Sequence, residues 1–110
     1  MVTVFHNAEL EDLQIIRRRI DRLDERFVLL LKRRSLLVAQ AQETKQHLGL
    51  PPRSREREQE ILARGEELAR QHGLNPDAVI RILENVLQNS LRMMDTRAAP
   101  PFNPLIPIDR

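Results

Sequence analysis

Between Glu9 and Leu48 the chain holds neither proline nor glycine, and apolar side chains recur there in steps of four and three: Ile16, Ile20, Leu23, Phe27, Leu30, then Leu37 and Ala41. That spacing predicts a single helix of about forty residues with one buried face. Position 34 belongs to the same stripe but carries an arginine, and Lys45 continues it four residues beyond Ala41. A cation on a core stripe is costly unless something anionic meets it. Met1 to Ala8 reads as a short, loosely held lead. Asn7 is a candidate cap, and Glu9, Glu11 and Asp12 sit near the positive end of the helix dipole. Gly49, Pro51 and Pro52 stop the helix.

Two further helices follow. Ser54 can cap the second, which carries Ile61, Leu62, Leu68 and Ala69 inward and ends at His72-Gly73, glycine being suited to the residue after a helix. Gly65 is out of place in its interior, where glycine disfavours helix. Asn75-Pro76-Asp77 combines a cap, a proline at the first helical position and an early acid. It opens a third helix running to about Arg97, with Val79, Leu83, Val86, Ser90 and Met94 as its inward stripe and Ile82 and Leu87 broadening it. Ala98 to Arg110 contains four prolines and no helical pattern, and is expected to be an extended tail, disordered or laid on a partner surface. The expected fold class is all-α: one helical domain over 9–97, between the lead at 1–8 and the tail at 98–110.

Helix length bears on assembly. Forty residues make a rod of about 60 Å, whereas a compact chain of this size has a radius of gyration of about 13 Å. The two shorter helices cannot cover the whole apolar stripe. A second copy of the chain can, so an intertwined helical homodimer is the simplest expectation. The alternatives are a monomer whose first helix breaks near Lys32 to Ser35, and a plain coiled coil, which shares the four/three spacing.

Composition narrows the function classes. Eighteen basic and sixteen acidic residues are interspersed, leaving a net charge of +2 and no strong nucleic-acid footprint. Three phenylalanines are the whole aromatic content, too few for a base-stacking platform. Without cysteine there is neither a disulfide framework nor a thiolate zinc site, and His6, His47 and His72 lack metal-ligand spacing, so no metal or other cofactor is expected. No apolar run is long enough to span a membrane and no signal-peptide pattern opens the chain, which makes a cytoplasmic protein the default.

The polar residues on the inward faces carry the chemistry. Arg34 and Lys45 lie eleven residues apart on one face, about 16 Å along the rod, a separation that suits a small dianion between them. Arg17 lies about 25 Å from Arg34 on the same rod, too far for one small ligand to touch both, but an antiparallel copy of the helix in a dimer could bring Arg17 of one chain to the cavity of the other. Arginine binds carboxylates through a planar fork, while lysine acts as a point charge that can aim at one oxygen. Blander readings stand beside each of these. Arg34 could form a buried ion pair with Glu58, and Arg17 belongs to an Arg17-Arg18-Arg19 run that would ordinarily be solvated. Lys45 could serve the helix dipole, Ser90 could bond its own helix backbone, and Met94 could be core.

The stretch from Ile20 to Lys45, I-D-R-L-D-E-R-F-V-L-L-L-K-R-R-S-L-L-V-A-Q-A-Q-E-T-K, resembles the first helix of the all-helical chorismate mutase family. The order continues to match through the proline-containing turn, R-E-R-E around Arg57 and Glu58, G-L-N-P from Gly73, and a last helix with Ser90. The likeness covers about Leu10 to Met94. It implies an intertwined helical dimer that rearranges chorismate to prephenate for aromatic amino-acid biosynthesis, with no covalent intermediate and no general base. By the same resemblance, Arg17 reaches into the partner's site to bind a substrate carboxylate, and Arg34 holds a carboxylate within its own subunit. Lys45 stands at the ether oxygen of the breaking bond. Glu58 accepts from the ring hydroxyl with Arg57 in support, and Ser90 meets the ring carboxylate.

Two positions depart from the family pattern. Ser54 falls where many members have Asp. Met94 falls where many have a Gln that donates a second hydrogen bond to the ether oxygen, and a thioether cannot donate. Met94 thus implies a slow mutase, a mutase compensated elsewhere, or the same fold acting on a related substrate, such as a 4-amino-4-deoxychorismate mutase or an isochorismate–pyruvate lyase. A non-catalytic helical dimer serving as an interaction module is the alternative of another class.

Overall fold

The computed structural model describes residues 2–93, with side chains described over 7–93. All regular structure among these residues is helical: α1 Val2–Leu48, α2 Arg55–Gln71 and α3 Pro76–Asn89. Met94 and the proline-rich 98–110 lie outside the described residues.

Helix α1 is unbroken, with no interruption near Lys32 to Ser35. It begins at Val2 rather than Glu9, so the expected lead is part of the rod and Asn7 is helical instead of capping. No proline or glycine stands between Val2 and Asn7 to stop the helix extending backwards. At the other end Gly49 takes φ 70°, Leu50 N donates to the Lys45 carbonyl at 2.8 Å, and Gly49 N donates to that of Gln46 at 3.2 Å. This is the paired closure that a left-handed glycine permits. Helix α2 ends the same way: Gly73 has φ 70°, and Leu74 N and Gly73 N donate to the carbonyls of Ala69 and Arg70. Ser54 Oγ caps α2 by accepting from Arg57 N at 3.2 Å, and Asn75 Oδ1 caps α3 by accepting from Asp77 N at 2.9 Å.

Helix α3 stops at Asn89, short of the expected Arg97, and the chain turns through 90–92. The cause is local. Asn85 and Asn89 each donate a side-chain N–H to the carbonyl four residues back, and Ser90 Oγ donates to the Leu87 carbonyl at 2.9 Å. Such back-bonding weakens a helix already poor in strong formers.

Helices α2 and α3 pack closely, and a Leu83 methyl occupies the space beside Gly65 that a side chain would take. Gly65 is buried, and a Cβ there would overlap the Leu83 Cδ1 methyl of α3. The glycine that seems misplaced in α2 receives Leu83 and Val79 of α3. Gly65→Ala is expected to be nearly neutral, because Leu83 can rotate while the helix gains propensity. Gly65→Val is expected to lower unfolding free energy by about 1–3 kcal/mol, measurable by urea denaturation.

The molecule is elongated, 71 × 33 × 22 Å with a radius of gyration of 19.4 Å. Burial on α1 begins only at Leu31; from Asn7 to Leu30 every residue is exposed, including the stripe members Ile16, Ile20, Leu23, Phe27 and Leu30. From Leu31 onward α1 faces the α2–α3 pair, and Ser35 is buried with its hydroxyl donated to the Leu31 carbonyl at 2.8 Å.

Candidate active site

The lower third of α1, the turn at 49–54, the first half of α2 and the end of α3 enclose a cavity of about 960 Å³. Six α1 residues line it: Arg34, Leu37, Val38, Ala41, Gln42 and Lys45. Their spacing of three and four is one face of a helix. The turn contributes Pro52, Arg53 and Ser54, α2 contributes Arg57, Glu58, Ile61 and Leu62, and Ser90 closes the wall from the end of α3. Of the residues expected at a site, Arg34, Lys45, Ser54, Arg57, Glu58 and Ser90 are therefore brought together. Arg17 is not among them. It is exposed on the upper part of α1, and its seventeen-residue separation from Arg34 puts it about 25 Å away along the rod.

Each side chain has a definite setting. Arg34 is half-buried with no hydrogen-bond or ion-pair partner among the described residues, so the buried pair with Glu58 does not form. Lys45 Nζ donates to the Pro52 carbonyl at 3.2 Å, which leaves an ammonium with two further N–H donors. Ser54 uses its oxygen as the α2 cap and keeps its proton free to donate. Ser90 gives its proton to the Leu87 carbonyl, and rotation of one torsion would free it. Arg57 turns to Glu60 at 3.2 Å on the exposed side of α2 and does not support Glu58.

Arg53 supports Glu58 instead. Its Nε lies 2.7 and 3.0 Å from the two carboxylate oxygens. This hydrogen bond is the main cause holding the Glu58 carboxyl below its ordinary range; partial burial opposes it, and the charges of Arg53 and Arg55 add to it. The ionised form is the stronger acceptor and offers no competing donor. Because the folded-state value is depressed, the pair stabilises the protein above the ordinary carboxylate range and is lost as pH falls through the lowered value. Arg53→Ala is expected to raise the Glu58 titration midpoint toward that of a free glutamate, as followed by carbon-13 NMR of the side-chain carboxyl.

Sequence reasoning missed Arg53 and Gln42. Gln42 was legible in principle, since it stands eight residues from Arg34 and three from Lys45 on one face. Arg53 was not, because it lies in a turn where no periodicity says where a side chain points. With both included, the cavity wall carries five cations (Arg34, Lys45, Arg53, Arg57, Arg92) against two carboxylates (Glu58, Glu84). The setting favours an anionic ligand, and the apolar floor of Leu37, Val38, Ile61 and Leu62 suits a carbon ring. No helix is long and apolar enough to cross a membrane among the described residues.

Residues 16–95, which include all eight expected site positions, match the family described as chorismate mutase type II. The chain is also 30% identical over 81 residues to a chorismate mutase of Methanocaldococcus jannaschii, covering 74% of this chain and 82% of that protein. No solved structure matches it. With only helices as regular structure among the described residues, a cation-lined cavity and a match over most of its length, this protein belongs to the chorismate mutase type II family.

Proposed function

We propose that the cavity is the active site of a homodimeric chorismate mutase and that Arg17 of a second copy completes it. The observation that carries this reading is the gathering of Arg34, Lys45, Ser54, Arg57, Glu58 and Ser90 around one cavity. Chorismate presents two carboxylates, a ring hydroxyl and an ether oxygen. Its rearrangement to prephenate breaks the ether C–O bond and forms a C–C bond within one molecule, so no nucleophile or base is required. The protein's work is to hold the compact diaxial conformer and to stabilise negative charge growing on the ether oxygen. Arg34 binds one carboxylate through its fork. Lys45 donates to the ether oxygen, Glu58 accepts from the ring hydroxyl, and Ser90 and Ser54 contact the ring's polar edge. Arg57 lies at the rim.

The dimer rests on surface area. The chain exposes 9878 Å², whereas a compact chain of 12.9 kDa exposes about 6300 Å². An excess of about 3500 Å² is more than the roughly 1000–2500 Å² that each partner of a permanent dimer buries, so the chain has surface to spare for one. The upper part of α1 contributes to that surface: Ile16, Ile20 and Leu23 of its apolar stripe are exposed, and Phe27 borders only an open cleft shared with Ile82 and Val86 of α3. An antiparallel second α1 would cover that stripe and bring Arg17 to the other copy's cavity. Prephenate feeds aromatic amino-acid biosynthesis, and cytoplasmic residence belongs to the same reading.

The test is conversion of chorismate to prephenate by the purified chain, run beside 4-amino-4-deoxychorismate and isochorismate. The expected result is turnover of chorismate in preference to both. Chorismate left untouched at micromolar enzyme would sink the reading, and preference for an analogue would reassign the substrate.

A further inference from the structure

Gln42 Nε2 and Lys45 Nζ donate to one and the same oxygen, the carbonyl of Pro52, at 2.9 and 3.2 Å. Both side chains line the large cavity. They stand three residues apart on α1, so they are neighbours on one helix face. Two donors that converge on one acceptor can converge on another placed beside it. Neither is exhausted by Pro52: a primary amide carries two N–H groups and an ammonium three. The carbonyl therefore orients both groups and leaves each at least one donor.

Resting on the reading that Lys45 serves the ether oxygen, we propose that Gln42 is a catalytic residue whose amide donates the second hydrogen bond to that oxygen. Both groups already meet at the Pro52 oxygen, so an acceptor placed beside it lies near the two together. The reaction calls for such a donor, because charge grows on the ether oxygen as the C–O bond breaks, and Met94 has only a thioether to offer. Gln42 is neutral, so it does not repel Lys45 as a second cation at that oxygen would. An ether oxygen is a weak acceptor in the ground state and a strong one in the transition state. The contribution of Gln42 thus falls on kcat and hardly on KM.

The experiment measures kcat and KM for chorismate on the full-length protein, its Gln42→Leu and Gln42→Ala variants, and Met94→Gln placed in the wild type and in Gln42→Leu. Circular dichroism and thermal unfolding are recorded on each. Both Gln42 variants are expected to keep their helicity and lose about 10²-fold in kcat, with KM changed by no more than about threefold. Met94→Gln is expected to raise kcat much more in Gln42→Leu than in the wild type, since it supplies a donor that only the variant lacks. A Gln42→Leu enzyme within about threefold of wild-type kcat overturns the proposal. So does a fall in kcat matched by lost thermal stability, which would mean that Gln42 only pins the turn, and so does an equal gain from Met94→Gln in both backgrounds. A wild type inert toward chorismate overturns the mutase reading and this proposal with it. An active wild type with an undiminished Gln42→Leu overturns the proposal alone.

Discussion

Arg34→Ala is expected to lower kcat/KM for chorismate by about 10²- to 10³-fold, because truncating one partner of a desolvated, hydrogen-bonded charge pair costs about 2–5 kcal/mol. What makes the expectation specific is its companion. Arg34 stands half-buried on the core-facing side of α1 with no counter-charge among the described residues. An unpaired cation in such a place costs free energy in the unliganded protein. Arg34→Met, which keeps most of the apolar stem, is therefore expected to leave stability unchanged or raise it while activity collapses. Had Arg34 been a structural ion pair with Glu58, the same change would lower stability. Glu58 is taken by Arg53 at 2.7 Å, so that outcome is not expected. Arg34→Lys should fall between, since an ammonium keeps the charge and loses the bidentate fork. Steady-state kinetics with urea denaturation on the same preparations checks both halves.

Leu23→Glu is expected to convert a dimer into a monomer and to remove most of the activity from a residue that touches no substrate. Leu23 is 60% exposed on the upper half of α1. In the isolated chain a glutamate there would be solvated and compatible with the helix. Between two copies of the rod it would be a buried, unpaired charge, introduced twice by symmetry, at a cost of several kcal/mol per site. Sedimentation equilibrium should give a mass near the chain's 12.9 kDa instead of twice that. On the proposed shared site, activity should fall with it, because each cavity would lose the Arg17 of the second copy. A variant that stays dimeric would show that copies meet through another surface.

Much of this architecture is written in local punctuation. Gly49 with Pro51 and Pro52, Ser54, Gly73 and Asn75-Pro76 act within a few residues, and the boundaries between the helices fall where those signals stand. The outer ends differ because their causes are weaker or distributed. Nothing between Val2 and Asn7 opposes helix, and three side-chain bonds to backbone end α3 at Asn89 where a pattern of apolar residues would continue it. Arg34 and Lys45 were legible as members of the cavity face because they interrupt an apolar stripe at helical spacing. Arg53 was invisible: its bond to Glu58 depends on how a turn folds back. The purpose of Gly65 was equally hidden, since it depends on Leu83 of another helix.

The central claim is that each active site is built from two chains, with Arg34 and Lys45 from one copy and Arg17 from the other. The most direct measurement mixes two inactive variants, Arg17→Ala and Arg34→Ala, unfolds and refolds them together, and assays chorismate turnover. A mixed dimer holds one site with both arginines and one with neither. With random pairing, half the dimers are mixed, and about a quarter of the wild-type rate should return. If the refolded mixture is as inactive as its parents, Arg17 does not act across the dimer and the account of a shared site is wrong.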